Sequence, residues 1–188
     1  MTLRNHKPAL ILIDIQKGFD HESHWGGQRN NKNAELNSGI ILDKWRSYKL
    51  PVFHVRHSST HPDSPLHKNN PGFEFKNEVK PWVGEPVITK QVNSAFIGTE
   101  LKKQLDQQGL THVVIIGLTT THCVSTTTRM ASNYGYQTWL ISDATATFDR
   151  IGIYGEAFDA EILHRTALAS LNEEFATVID TDQLLDIL

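Results

Sequence analysis

Short apolar runs alternate with amphipathic segments along the whole chain. Most of the runs carry valine and isoleucine at consecutive positions, which is typical of strands buried on both faces of a parallel sheet. We predict strands in ALILID (9–14), PVFHVRH (51–57), PVITK (86–90), THVVIIG (111–117), YQTWLISD (136–143) and ATVID (176–180).

The segments between these runs carry apolar residues at helical spacing. Gly109 and Gly135 each lie between a helical pattern and the next strand, where a glycine commonly ends a helix. The patterns comprise Leu36, Ile40, Ile41, Trp45 and Tyr48; Leu101 and Leu105; and Ile162, Leu163, Thr166, Ala167 and Leu171. Strand alternating with helix predicts right-handed crossovers and a doubly wound α/β sandwich.

Two predicted connections are long and polar, one from Gln16 to Asn33 and the other from His57 to about Pro86. Loops of this length in a compact protein commonly close over a site. The chain has 188 residues, enough for one full hydrophobic core, and it contains no internal repeat and no linker. We therefore expect a single domain over residues 1–188.

Composition narrows the class of protein. Hydrophobic residues make up 39% and charged residues 21% of the chain, as in ordinary soluble proteins. The net charge is −3 without a basic stripe, so we expect no nucleic-acid partner. The first apolar stretch is short and interrupted by Asp14, which argues against a signal peptide or membrane span. A single cysteine excludes an internal disulfide, and we expect a cytoplasmic protein without a membrane partner.

Three reactive side chains lie at strand ends. Asp14 and Lys90 close their strands, and Cys123 follows the fourth run at a predicted helix start. Taken singly, an aspartate can cap a turn, a lysine can be a surface charge and a cysteine can be a buried apolar residue. Ligands of open α/β sheets bind beyond the carboxyl ends of the strands, so the coincidence of all three predicts a site there.

The chemistry of these three side chains is complementary. A thiol at a helix N-terminus faces unpaired N–H groups, which stabilise the thiolate. Asp14 can accept the thiol proton, and Lys90 can hold that carboxylate and stabilise negative charge. The N–H groups of the Thr119–Cys123 turn can bind an oxyanion. Cys123 is therefore a candidate nucleophile for acyl transfer.

Several motifs, in this order, resemble the isochorismatase-like cysteine hydrolases. They are LIDIQKGF (12–19), ITKQVNSAF (88–96), GLTTTHCVSTTTRMASNYGY (117–136), DATATFD (143–149) and EFATVIDTDQLL (174–185). The resemblance covers nearly the whole chain. It implies a Rossmann-like doubly wound sandwich with a six-stranded parallel sheet, and a homo-oligomer, either a dimer or a tetramer.

The same resemblance implies the roles of the site residues. Asp14, Lys90 and Cys123 would form the catalytic triad, and the N–H groups of Thr119 and Cys123 would form the oxyanion hole. A cis peptide bond between Leu118 and Thr119 would aim the Thr119 N–H at the oxyanion. We expect no cofactor.

The family includes amidases as well as isochorismatase, which cleaves a vinyl ether. The main hypothesis is hydrolysis of a C–N bond in a small amide, carbamoyl or ureido compound, through a thioester on Cys123. One alternative is vinyl-ether hydrolysis with Asp14 as the acid and a dispensable thiol. A catalytically silent binding module is the alternative from another class, and the presence of all three reactive residues argues against it.

Metal binding is the remaining question. Nicotinamidases of the family carry an Asp-x-His…His metal site after the second strand, where this chain has HVRHSSTHPDSPLH (54–67). His57 takes the place of the aspartate. Histidines 54, 57, 61 and 67 have suggestive spacing for zinc, but the segment is predicted as an extended loop that would not bring imidazoles together. We therefore expect no metal.

Candidates for substrate binding come from the same loops. Aromatic residues would enclose a small planar or apolar substrate, and polar residues would orient it. Phe19 and Phe96 could equally be core side chains. His122 is next to Cys123 but points in another direction from a helix start, so we do not expect a Cys–His pair. The candidates are Phe19, Trp25, Asn93, Phe96, Thr120 and His122.

Overall fold

The computed structural model describes residues 2–188 as an α/β fold. Every run that was predicted as a strand forms one, although β5 is longer and β8 shorter than predicted. The strands are β1 (Ala9–Ile13), β2 (Val52–His57), β3 (Val87–Lys90), β4 (His112–Leu118), β5 (Gln137–Ala146), β6 (Arg150–Ile151), β7 (Ala157–Phe158) and β8 (Thr177–Ile179).

Helices follow most of the strands. Gly109 and Gly135 lie two residues after the last residues of α3 and α4 and have positive φ angles of 65° and 88°, as predicted for glycines that end helices. The helices are α1 (Glu22–Trp25), α2 (Ala34–Ser47), α3 (Leu101–Gln107), α4 (Ser125–Asn133), α5 (Ala160–Leu171) and α6 (Thr181–Ile187). Four short 3-10 helices also occur, at Leu3–His6, Lys17–Asp20, Pro71–Phe73 and Asn77–Val79.

Six strands form one parallel sheet in the order β3-β2-β1-β4-β5-β8. This confirms the predicted doubly wound fold. The strand order reverses between β1 and β4, where the connections leave the sheet in opposite directions and open a crevice at the carboxyl edge.

Both faces of the sheet are covered, as the unbroken apolar runs indicate. Side chains of β1 alternate between two cores: Ile11 and Ile13 belong to one cluster, and Leu10 and Leu12 to the cluster on the other face. All five residues of β1 are buried. Asp14 follows them directly, and it is buried as well.

Not every apolar residue of the predicted helical patterns faces the core. In α2, Ile41 and Trp45 are fully buried, whereas Leu36 and Ile40 are exposed by 58% and 45%. The buried face of α2 instead includes two small residues, Ala34 and Ser38.

A hairpin of β6 and β7 was not predicted. Its strands have two residues each, too short for an alternating pattern to be recognised. Ile151, Ile153, Tyr154 and Phe158 on this hairpin are exposed apolar residues.

The two long connections contain only short helices and close over the carboxyl edge of β1. Main-chain atoms of Gly18 and Gly72 pack against each other, so that a Cβ atom at Gly72 would lie 2.7 Å from the Gly18 Cα. The Lys17 N–H also bonds to the Glu74 carbonyl at 2.9 Å. Among residues 2–188, no helix has the length and apolar character required to cross a membrane.

Candidate active site

The side chains of Asp14, Lys90 and Cys123 meet at the carboxyl edge of the sheet, which confirms the predicted convergence. Lys90 Nζ lies 2.6 Å from Asp14 Oδ2 and 3.2 Å from Cys123 Sγ. A third contact, of 3.2 Å, joins Lys90 Nζ to His57 Nδ1. The three ammonium hydrogens of Lys90 therefore have three acceptors, although 76 residues separate Lys90 from Asp14.

Asp14 is positioned by a sharp turn at the end of β1. Its φ angle of 52° lies in the left-handed region, which aspartate adopts more readily than most residues. Its N–H still bonds to the Val55 carbonyl of β2 at 2.9 Å. Asp14 Oδ1 is buried and has no hydrogen-bond partner among the described residues. One carboxylate oxygen is thus held by Lys90, and the other is free to accept a proton.

Cys123 lies on a π-helical turn, Thr120–Val124, that leads from β4 into α4. The peptide bond between Leu118 and Thr119 at the start of this turn is cis, as the resemblance implied. The Thr119 carbonyl accepts hydrogen bonds from the N–H groups of His122 and Val124. These bonds hold the turn in place. The thiol is largely buried, and it faces the crevice at the carboxyl edge of the sheet.

Burial opposes the stabilisation of the Cys123 thiolate that the helix N-terminus was expected to provide. Burial raises the pKa of Cys123 to about 12, and the Asp14 carboxylate adds to that increase while Lys90 opposes it. The resting group is therefore a thiol. A base has to remove its proton before sulfur can act as a nucleophile.

Lys90 is a cation in this site. Burial lowers the pKa of its ammonium, but the charges of Asp14 and Cys123 and their hydrogen bonds offset this, so that the net shift is upward. The Asp14–Lys90 pair has no exposed side-chain surface, so it is an ion pair in a low-dielectric interior.

His57 joins the cluster as a neutral imidazole. Burial lowers its pKa, and the positive charge of Lys90 lowers it further. Gln16 holds the main chain of His57 at both groups: the His57 N–H donates to Gln16 Oε1 at 2.7 Å, and Gln16 Nε2 donates to the His57 carbonyl at 3.1 Å. The sequence indicated neither contact, because both depend on β1 and β2 being neighbours.

A cavity of about 200 Å³ opens above Cys123. Four of the six predicted substrate-binding residues line it: Phe19, Trp25, Asn93 and His122. The remaining lining residues are Thr119, Cys123 and five that sequence reasoning missed, namely His57, Ser59, Ser64, Leu66 and Arg150.

Phe96 and Thr120 lie away from the cavity. Phe96 belongs to the core beside α4, where its ring lies edge-on to Tyr134 at 5.4 Å and stacks on Tyr136 at 6.1 Å. Thr120 is fully buried, and its hydroxyl contacts His164 Nδ1 on α5 at 2.8 Å. A turn residue next to the nucleophile can point to either side, and here it points into the protein.

The geometry does not favour a metal ion at this site. Asp14, His57 and Cys123 offer ligand atoms within 4.8 Å of one another, but Lys90 Nζ contacts all three and already supplies a cation there. Of the other histidines in the segment, His54 is buried and bonds to Glu85 at 2.8 Å, while His61 and His67 belong to no metal-like cluster within residues 2–188.

Comparison with known proteins identifies the family to which the chain belongs. The model of the isochorismatase domain matches residues 8–183. The chain belongs to the isochorismatase family. It is similar to the family protein YrdC of Bacillus subtilis (strain 168), with 49% identity over 96% of this chain and 95% of the relative.

Two further similarities concern structure and activity. A hydrolase structure of the isochorismatase family from Chromobacterium violaceum ATCC 12472 superposes with a TM-score of 0.94 and 39% identity, covering 100% of this chain and 96% of the other. Maleamate amidohydrolase of Pseudomonas putida (strain KT2440) is 34% identical over 73% of this chain and 71% of its own. The present chain is thus an isochorismatase-like hydrolase whose relatives include amidohydrolases.

Proposed function

We propose that this protein is a cysteine amidohydrolase that cleaves the C–N bond of a small amide, carbamoyl or ureido compound through a thioester on Cys123. The proposal rests on the different environments of the two carboxylate oxygens of Asp14. Lys90 binds Oδ2 at 2.6 Å, while Oδ1 is buried without a partner. No described protein group has to leave Oδ1 before it accepts the thiol proton, so Oδ1 is the candidate base.

The first half of the reaction forms the acyl-enzyme. Asp14 takes the proton of the Cys123 thiol as sulfur attacks the substrate carbonyl carbon, and the carbonyl π electrons move to oxygen. The N–H groups of Thr119 and Cys123 bind this oxyanion. The C–N bond then breaks, and the proton held by Asp14 passes to the leaving nitrogen. The products of this half are an amine or ammonia and a thioester.

Water completes the reaction. Asp14 accepts a proton from water as its oxygen attacks the thioester carbonyl, and the C–S bond breaks. The sulfur takes up the proton, which restores the thiol that burial favours at rest. Lys90 keeps its contacts to both partners throughout and stabilises the transient thiolate. The amidohydrolase among the similar proteins supports this choice of bond.

The test is a screen of small amides and ureides with Cys123→Ala as the blank. We expect deletion of the thiol to lower turnover by on the order of 10³-fold or more, because the chain has no other cysteine. With a slow substrate, rapid acid quench and mass spectrometry should detect one acyl group on Cys123. Full activity of Cys123→Ala on the best substrate would disprove the mechanism.

The second candidate is vinyl-ether hydrolysis, in which Asp14 delivers a proton to substrate carbon and the thiol is not needed. The observation that favours it is again the buried Asp14 Oδ1, which has no partner among the described residues and can carry the proton that such a reaction delivers. Such an enzyme would need Asp14, tolerate Cys123→Ala and form no acyl adduct. The same screen, extended to a vinyl ether, separates the two reactions.

A further inference from the structure

Arg150 is a lining residue of the cavity whose charge has no counterpart. Its Nε is buried, and among residues 2–188 the guanidinium makes no hydrogen bond and no ion pair. The neighbouring carboxylate of Asp149 is already bound, since its oxygens accept the N–H groups of Gln28 and Ala160 at 3.1 and 2.8 Å. An arginine that is partly desolvated and lines a cavity is suited to bind an anion.

The other polar groups of the cavity are also mostly donors. His122 Nδ1 lies 3.1 and 2.9 Å from the hydroxyls of Thr119 and Thr121, and burial together with Arg150 lowers the pKa of this histidine. A threonine hydroxyl can donate to Nδ1, and in that tautomer the neutral ring carries its hydrogen on Nε2. His57 has the same arrangement, because Lys90 donates to its Nδ1.

The two serines add donors of the same kind. Ser59 Oγ accepts the His61 N–H at 3.1 Å, and Ser64 Oγ accepts the Leu66 N–H at 3.2 Å, so each hydroxyl hydrogen is free. Among residues 2–188, no aspartate or glutamate belongs to the cavity lining, and the Asp14 carboxylate at the base of the site is paired with Lys90. A wall of donors with one unpaired cation and no acid is complementary to a negatively charged molecule.

We propose that Arg150 binds a carboxylate of the substrate, and that the substrate class is small amides that carry a carboxylate. This rests on the proposed function, and it places the scissile amide at Cys123 and the carboxylate at Arg150. The planar guanidinium suits a carboxylate through paired hydrogen bonds. The cavity of about 200 Å³ is below the roughly 300–1,000 Å³ of common ligand pockets, so the molecule is small. Phe19 and Trp25, with ring centroids 4.7 Å apart, form its apolar wall.

A pair of alkylating reagents tests the anion site without knowledge of the substrate. Iodoacetate and iodoacetamide both transfer a carbon to sulfur and release iodide, but only iodoacetate is charged. We expect the ratio of the iodoacetate rate to the iodoacetamide rate at Cys123 to exceed the same ratio for a neutral small thiol by roughly 10- to 100-fold. This is the factor that one hydrogen bond to a charged group contributes. Mass spectrometry of the intact protein measures both rates.

Variants test whether the preference for iodoacetate depends on Arg150. Arg150→Gln should bring the ratio to that of the small thiol, and Arg150→Lys should retain part of it. Arg165→Gln, which removes an exposed arginine from α5, is the matched control and should leave the ratio unchanged. A wild-type ratio equal to that of the small thiol would overturn the proposal. An equal loss in Arg150→Gln and Arg165→Gln would do the same, since it would indicate only a general charge effect.

Steady-state kinetics connect the anion site to turnover. The monoamide of a four-carbon dicarboxylic acid should have a higher kcat/KM than the diamide by roughly 10- to 100-fold, and Arg150→Gln should remove most of this difference through KM. Hydrolysis of both amides with equal kcat/KM would overturn the anion site and leave the amidohydrolase intact. If iodoacetate is preferred but no amide yields a thioester, the anion site is supported and the proposed function fails.

Discussion

At the scale of single residues, the candidate site depends on a buried ion pair that also contacts the thiol. Lys90 supplies all three donors of its ammonium to Asp14, His57 and Cys123, and none of its side chain is exposed. Removal of the lysine would leave a carboxylate buried without a countercharge. Lys90 therefore links stability to the proposed chemistry.

Replacement of Lys90 by methionine should lower the free energy of unfolding by about 3–5 kcal/mol, the usual cost of breaking a buried ion pair. Turnover of the best amide should be lost as well. Lys102→Met is the matched control, because Lys102 pairs with Asp106 on the surface and should cost about 0–1 kcal/mol. Urea denaturation measures both; a cost below about 1 kcal/mol for Lys90→Met would contradict the ion-pair argument.

Thr120→Val distinguishes a structural role of Thr120 from substrate contact. The Thr120 hydroxyl contacts buried His164, so its loss leaves a polar nitrogen unpaired and should cost about 1–3 kcal/mol of stability. KM should change little, because Thr120 does not line the cavity. Thermal unfolding and steady-state kinetics check this. A raised KM without a loss of stability would restore Thr120 as a substrate-binding residue.

At the scale of elements, the site depends on the close approach of β1 and β4 at the point where the strand order reverses. Gly117 of β4 has a φ angle of 128°, and a Cβ atom there would lie 2.0 Å from the Ile13 carbonyl oxygen. Ile13 immediately precedes Asp14, and Gly117 lies two residues before the cis-linked Thr119. The main-chain contact between Gly117 and Ile13 therefore positions both Asp14 and the turn that carries Cys123.

Gly117→Ala should be strongly destabilising, by at least about 2 kcal/mol, because positive φ and a main-chain clash act together. Gly109→Ala is the matched control. Gly109 also has a positive φ, of 65°, but an added Cβ would meet no atom within 4 Å, so only the conformational cost of about 1–2 kcal/mol applies. Denaturant titration compares the two; equal losses would refute the role of the β1–β4 contact.

At the scale of the whole molecule, the hairpin that carries Arg150 also presents apolar residues to solvent. Ile153 and Tyr154 are each 89% exposed, and Ile162 in the first turn of α5 is 52% exposed. An apolar patch of this kind is typical of an interface between proteins. The predicted homo-oligomer, like the predicted single domain over residues 1–188, stays a prediction.

Light scattering tests the assembly. We expect a mass that is a multiple of the 21.2 kDa chain, and we expect Ile153→Glu to shift it toward the single chain, because a buried unpaired charge disfavours an apolar interface. Val83→Glu, which adds the same charge at an exposed position outside the hairpin, should keep the mass of the wild type. A wild-type mass of 21.2 kDa at micromolar concentration would contradict the oligomer.

The stability of the whole fold should decrease in mild acid. Burial lowers the pKa of His54, His57, His122 and His164 below their ordinary value of 6.5. The unfolded chain then binds more protons than the folded chain, so stability is fully present above pH 6.5 and decreases as the pH falls below it. Urea denaturation between about pH 7.5 and pH 5 measures this. A free energy of unfolding that is constant over this range would refute it.

The sequence by itself determined the layers of the fold and the three central residues of the site. Consecutive apolar residues can be buried only between two layers, so runs such as ALILID predict a parallel sheet and place Asp14 at its edge. Asp14, Lys90 and Cys123 were identified because reactive groups directly follow such runs. These inferences need only local order along the chain.

Only the tertiary structure decided the pKa of the thiol and the lining of the cavity. The pKa of Cys123 depends on how much water and charge surround it, and that environment comes from β1, β3 and the long loops rather than from its own turn. Arg150 and Ser64 reach the cavity from segments with no periodic pattern, so no local signal marked them. Phe96 and Thr120 were misplaced for the same reason: the direction of a side chain at a turn is set by what packs against it.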